Sequence, residues 1–69
     1  MMSLQSPVSA VWRSTAWIVI PAYNEAAVIG DTVRAVRRHF DNVVVVDDCS
    51  PDATERVARE AGAMVCRHP

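Results

Sequence analysis

The sequence predicts an α/β fold in which parallel strands alternate with helices in the order β-α-β-α-β. Two short runs, residues 16–20 and 43–46, are apolar at every position, as in strands that are covered on both faces of a parallel sheet. Between and after these runs, apolar residues recur at helical spacing. The connecting loops are short, so each helix should return the chain to the next strand through a right-handed crossover.

Composition narrows the class of protein. The chain has 69 residues, of which 51% are hydrophobic and 22% charged, with a net charge of −1. These values indicate one small globular domain and argue against a nucleic-acid-binding surface. No apolar run approaches the roughly 18 residues of a membrane span. Two cysteines without metal-ligand spacing favour a reduced, cytoplasmic setting. Residues 1–15 lack the apolar stretch of a signal peptide, and we interpret them as a flexible leader.

The first strand, residues 16–20, ends before Pro21. Asn24 is the predicted N-cap of the first helix, and Glu25 suits the positive end of the helix dipole. The apolar stripe of this helix consists of Ile29, Val33, Val36 and Phe40.

The second strand, residues 43–46, consists of four valines, which favour strands. Ser50 as N-cap and Pro51 as first helical residue should open the second helix, and Gly62 should end it. Residues 63–66 form the predicted third strand. The expected sheet order is third, second, first, with both helices on one face. Because the other face would stay bare, we expect residues 16–69 to be the N-terminal portion of a larger, truncated domain.

Ligands of open α/β sheets bind outside the carboxyl ends of the strands. Two loops of this chain should lie there, residues 21–25 and residues 47–50. The carboxylates of Asp47 and Asp48 can accept an N–H of uracil or guanine, and the ring of Tyr23 can stack on a base. No glycine-rich phosphate loop is present.

Both loops carry a family resemblance. Residues 19–25 read Val-Ile-Pro-Ala-Tyr-Asn-Glu and residues 45–54 read Val-Val-Asp-Asp-Cys-Ser-Pro-Asp-Ala-Thr. They resemble the first two motifs of family 2 glycosyltransferases, over a stretch that spans residues 17–69. The resemblance implies an incomplete Rossmann-like nucleotide-binding fold of the glycosyltransferase A type. The usual second motif has glycine where this chain has Cys49, so the approach of this loop to a ligand should differ.

The resemblance also implies a function, namely transfer of a sugar from a nucleoside-diphosphate sugar to an acceptor. It implies that Asp48 holds the base and that Asp47 orients its loop or reaches the nucleotide. The implied nucleotide-sugar-binding residues are Pro21, Ala22, Tyr23, Glu25, Asp47 and Asp48. The family's catalytic base and Asp-X-Asp metal motif lie downstream, so no catalytic or metal-binding residue can be assigned to this chain, and we expect it to be inactive in isolation.

For the full enzyme, the resemblance implies a divalent metal, Mg or Mn, with ligands outside this chain. The residues of the second motif are most similar to those in the branch of the family with polyprenyl-phosphate acceptors, such as dolichol-phosphate mannosyltransferases. An enzyme of that branch would work at the cytoplasmic face of the membrane. The sugar, the nucleotide base and the acceptor stay open.

Simpler interpretations compete with each assignment. Asp47 and Asp48 could only end a strand and cap a helix, Tyr23 could be a surface aromatic, and Glu25 could serve only the helix dipole. Asp52 and Thr54 are interpreted as helix-start residues, and neither His39 nor His68 is assigned a role. Two other classes are a receiver-like domain, whose acidic pair ends the first strand instead of the second, and a non-catalytic nucleotide-binding module.

Overall fold

The computed structural model describes residues 10–69. This part of the chain forms three helices and three strands. In chain order they are α1 (Ala10–Thr15), β1 (Trp17–Ala22), α2 (Ile29–Arg37), β2 (Asn42–Asp47), α3 (Thr54–Glu60) and β3 (Met64–Arg67).

The three strands form one parallel sheet in the order β1-β2-β3. This confirms the predicted α/β class and the predicted strand order. Strands β1 and β2 are paired along their whole length, from Trp17 beside Asn42 to Ala22 beside Asp47. Each strand runs one or two residues beyond its predicted carboxyl end, which brings Pro21 and Ala22 into β1.

Helices α2 and α3 pack against each other and against β2. Every second residue of β2 is buried beneath them, as the two-residue period of a strand requires. Gly30 brings the helices close together, since a Cβ atom there would lie 3.1 Å from Cγ1 of Val57. The buried apolar core consists of Ala22, Ile29, Val33, Val43, Val45, Ala58, Ala61 and Ala63.

Both long helices begin later than predicted. Helix α2 starts at Ile29, after a turn, and α3 starts at Thr54, so Asn24 and Ser50 are not N-caps. Asn24 instead has a φ of 55°, and the Ser50 side chain bonds to groups outside α3. The predicted end of α3 is confirmed, since Gly62 follows the helix with a φ of 107°, a conformation that favours glycine.

The short helix α1 occupies part of the segment that the sequence predicts to be a flexible leader. Its Arg13 donates to the backbone oxygens of Arg38 and Arg37, at 2.6 and 3.3 Å, and to the Asp41 carboxylate at 3.0 Å. These bonds place a cation at the C-terminus of α2, where the helix dipole favours it. Residues 1–9 of the predicted leader lie outside the described part.

The face of the sheet opposite α2 and α3 is apolar and open, as predicted. Of the side chains that alternate with the core positions, Val44 and Val46 of the central strand are half-buried, whereas Trp17, Val19 and Met64 are 54%, 60% and 60% exposed. Together with Pro21 and Cys66, which are also exposed, they form what we call the open face. An apolar surface of this kind promotes association with other apolar surfaces.

We therefore predict that the double substitution Val19→Thr and Met64→Gln lowers self-association of the chain and its binding of a hydrophobic dye. Both side chains are exposed, so the fold should persist in circular dichroism. The control is Val45→Thr, which places a hydroxyl at a fully buried position and should destabilise the chain by about 1–3 kcal/mol. Unchanged dye binding and sedimentation in the double variant would contradict the prediction.

Candidate functional site

The loops after β1 and β2 lie side by side at the carboxyl edge of the sheet. The backbone hydrogen bonding between β1 and β2 continues one residue past the end of β2, because the N–H of Asp48 donates to the oxygen of Ala22 at 3.0 Å. On the other side, the N–H of His68 donates to the oxygen of Asp47 at 2.7 Å. Three chain segments are thus fixed against each other at this edge.

A depression of about 500 Å³ opens at this edge of the sheet. Four of the six residues predicted to bind a nucleotide sugar contribute to its lining, together with two that the sequence did not suggest. The complete lining is Pro21, Ala22, Tyr23, Val46, Asp48 and His68. Tyr23 is 57% exposed and the side chain of Asp48 is 71% exposed, so an aromatic face and a carboxylate are both accessible to a ligand.

Asp47 and Asp48 have different surroundings, although they are neighbours in the chain. Asp47 is fully buried beneath the helices. Its Oδ1 accepts hydrogen bonds from the backbone N–H of Ser50, at 3.1 Å, and from the Ser50 hydroxyl. Its Oδ2 is buried and has no hydrogen-bond partner among the described residues. The geometry therefore supports the loop-orienting role of Asp47, and only Asp48 faces the depression.

Side chains of the second loop and of the first residue of α3 accept hydrogen bonds from the backbone of the first loop. We call these three bonds the interloop clamp. They run from the N–H groups of Asn24, Glu25 and Ala26 to side-chain oxygens of Ser50, Thr54 and Asp52, at 2.8, 2.8 and 3.1 Å respectively. These N–H groups are among those that a helix with Asn24 as its N-cap would leave without a partner in the helix. The clamp satisfies these donors although Asn24, with a φ of 55°, lacks the backbone conformation of an N-cap.

Asp52 and Thr54 thus do more than start a helix. The Oδ1 atom of Asp52 accepts a hydrogen bond from the hydroxyl of Thr54 and a second one, at 3.0 Å, from the N–H of Thr54. The Thr54 hydroxyl is the main cause that lowers the pKa of Asp52, and the N–H groups of Ala26 and Thr54 lower it further. The side chain of Glu25, in contrast, is exposed and is not part of the lining of the depression.

Two non-glycine residues of these loops adopt left-handed backbone conformations. Asn24 and Cys49 each have a φ of 55°. Asparagine tolerates this conformation, whereas other side chains cost about 1–2 kcal/mol there. The position of Cys49 is the one where the resemblance led us to expect glycine. Arg67 supports this loop from β3, with Nη2 3.7 Å from Sγ of Cys49 and 3.4 Å from the oxygen of Ser50.

Residues 10–69 contain no group of three or more histidine, cysteine, aspartate or glutamate side chains that could hold a metal ion. Asp47 and Asp48 cannot bind one metal ion together, because they point to opposite faces of the sheet. In the same residues, no helix is long and apolar enough to cross a membrane. Both cysteines are free thiols.

The sequence model of Glycosyl transferase family 2 matches residues 17–69. The match includes both loops of the site and every strand. The chain belongs to glycosyltransferase family 2. This membership overturns the receiver-like alternative.

Three relatives are similar to this family 2 chain. An uncharacterized protein of Methanocaldococcus jannaschii is 36% identical over 99% of the chain, which corresponds to 28% of the relative. The UDP-N-acetylglucosamine–dolichyl-phosphate N-acetylglucosaminyltransferase of Methanococcus voltae is 40% identical over 64% of the chain and 18% of the relative. Glycosyltransferase AglJ of Haloferax volcanii is 45% identical over 70% of the chain and 16% of the relative. The chain thus matches less than a third of the length of each relative.

We predict that Ser50→Ala lowers the free energy of unfolding by about 2–4 kcal/mol, since it leaves the buried Asp47 carboxyl and the partly buried N–H of Asn24 without this partner. The control is Thr32→Ala, which removes an exposed hydroxyl that donates to the oxygen of Val28 one turn earlier and should change stability by less than about 0.5 kcal/mol. Denaturant unfolding in the Val19→Thr, Met64→Gln background measures both. Equal effects of the two substitutions would show that the hydrogen bonds of the Ser50 hydroxyl contribute nothing to stability.

Proposed function

We propose that this chain is the N-terminal nucleotide-sugar-binding part of a glycosyltransferase that moves a sugar from a nucleoside-diphosphate sugar to a polyprenyl phosphate. The observation that supports it most is the convergence of Pro21, Ala22, Tyr23 and Asp48 on one depression at the carboxyl edge of the sheet. In this proposal Tyr23 stacks on the base and Asp48 accepts one of its N–H groups. The polyprenyl acceptor is supported by the Methanococcus voltae relative, whose name specifies a dolichyl phosphate.

Two of the predicted binding residues, Asp47 and Glu25, have different roles in this proposal. Asp47 keeps its loop in place through Ser50 and does not touch the nucleotide. Glu25 presents an exposed carboxylate beside the depression, and its backbone is held by Thr54. Glu25 can thus meet a ligand that extends beyond the depression.

The reaction would be displacement at the anomeric carbon of the sugar, with the nucleoside diphosphate as leaving group. A divalent metal, Mg or Mn, would neutralise charge on the diphosphate, and we propose that its ligands and the catalytic base lie outside these residues. The side chains described here do not fit a metal, so their part is to bind and orient the nucleotide. The two free cysteines support our proposal of a cytoplasmic location, at the membrane surface that carries the acceptor.

We predict that Asp48→Ala weakens binding of the preferred nucleoside diphosphate about tenfold or more, because a hydrogen bond to a charged group is lost. Calorimetric titration of the chain with UDP and with GDP measures the effect. Asp31→Ala is the matched control, since Asp31 is an exposed aspartate paired only with Arg34 on α2. Unchanged affinity in the Asp48→Ala variant would exclude the role of Asp48.

We also predict that the chain on its own transfers no sugar, although it binds nucleotide. The reason is that the described residues include neither a metal site nor an assigned catalytic base. Incubation with UDP- and GDP-sugars, Mn²⁺ and a short polyprenyl phosphate measures release of nucleoside diphosphate. Metal-dependent release above the rate of a heat-denatured sample would contradict this expectation.

A further inference from the structure

The imidazole of His68 lies beside Asp48, in a place that the sequence pattern did not reveal. His68 follows the last residue of β3 directly, and its backbone N–H is held by Asp47 at 2.7 Å. Its Nδ1 atom is 3.5 Å from Oδ1 of Asp48. Both side chains line the depression that also contains Tyr23. The lining of the depression therefore includes an aromatic ring, a carboxylate and an imidazole.

The contact between His68 and Asp48 leaves both groups available to a ligand. A separation of 3.5 Å is long for a hydrogen bond between nitrogen and oxygen, and each side chain is 71% exposed. The carboxylate can only accept hydrogen bonds when ionised, whereas the imidazole can donate one. The depression thus presents an acceptor and a donor side by side, at a spacing that neighbouring atoms of one ligand can span.

Uracil and guanine carry a ring N–H next to a carbonyl oxygen, which is the complementary arrangement. Cytosine and adenine have an unprotonated ring nitrogen where the N–H would be, and that nitrogen cannot donate to Asp48. Such a base would place two hydrogen-bond acceptors against each other at Asp48 and would forfeit the hydrogen bond that a ring N–H makes to the carboxylate. We infer that His68 is a specificity-determining residue which, together with Asp48, selects bases with an N–H beside a carbonyl. This inference rests on the proposed binding of a nucleoside diphosphate in the depression.

The test compares affinities for two pairs of probes, UDP against CDP and GDP against ADP, by calorimetric titration of the full chain. The unchanged chain should prefer UDP over CDP, or GDP over ADP, by about tenfold or more. His68→Ala should reduce that preference by about three- to tenfold. Because the side chain is exposed, the substitution removes no core packing, and circular dichroism verifies the fold.

Two conservative variants separate a hydrogen-bonding role from a structural one. The amide nitrogen of Asn can occupy the place of Nδ1, the atom that faces Asp48, whereas that of Gln corresponds to Nε2. His68→Asn should therefore restore most of the preference, and His68→Gln should not. The matched control is His39→Ala, which changes an exposed histidine in the turn after α2 and should leave all four affinities unchanged.

The outcomes distinguish this inference from the function on which it rests. If none of the four nucleotides binds, or if Asp48→Ala has no effect, the proposed nucleotide site itself is wrong. If nucleotides bind through Asp48 but His68→Ala leaves the UDP-to-CDP and GDP-to-ADP ratios unchanged, only the role of His68 is overturned. Loss of preference in His68→Ala with recovery in His68→Asn supports the assignment.

Discussion

The geometry of the site depends on one buried group, the carboxylate of Asp47. It lies at the end of the central strand with no solvent exposure, and Ser50 supplies both of the hydrogen bonds to its Oδ1. Burying a carboxylate is costly unless it is hydrogen-bonded, so the fold is favourable only when the loop turns back over it. The same Ser50 oxygen then accepts the N–H of Asn24. A single buried carboxyl group thus fixes the loop that contains it and the loop of the neighbouring strand.

This arrangement has a benefit for ligand binding. The backbone of the first loop is ordered before any ligand arrives, because three of its N–H groups are already bonded to the second loop. A binding site that is ordered in advance loses less conformational entropy when the ligand binds. Tyr23 and Asp48 can therefore stay exposed on loops that are nonetheless held in place.

The sequence predicted the strands well, because runs of β-branched residues have few alternatives to a buried strand. It misplaced the starts of both long helices for one reason. Asparagine and serine are residue types that commonly cap a following helix. The sequence pattern does not show that Asn24 and Ser50 are instead hydrogen-bonded to each other between the two loops. His68 was missed for a related reason. It is 20 positions from Asp48 in the sequence, and only the pairing of β3 with β2 brings the two side chains together.

The bonds of Arg13 have a consequence for where the folding unit begins. The family match starts at residue 17, but the last carbonyl groups of α2 are bonded to a guanidinium four positions earlier. Without Arg13, these carbonyl groups would have no partner within the helix and would be hydrogen-bonded to water. The folded part of this protein therefore includes α1, and a boundary placed at the start of the family match would remove the residue that bonds to the C-terminal end of α2.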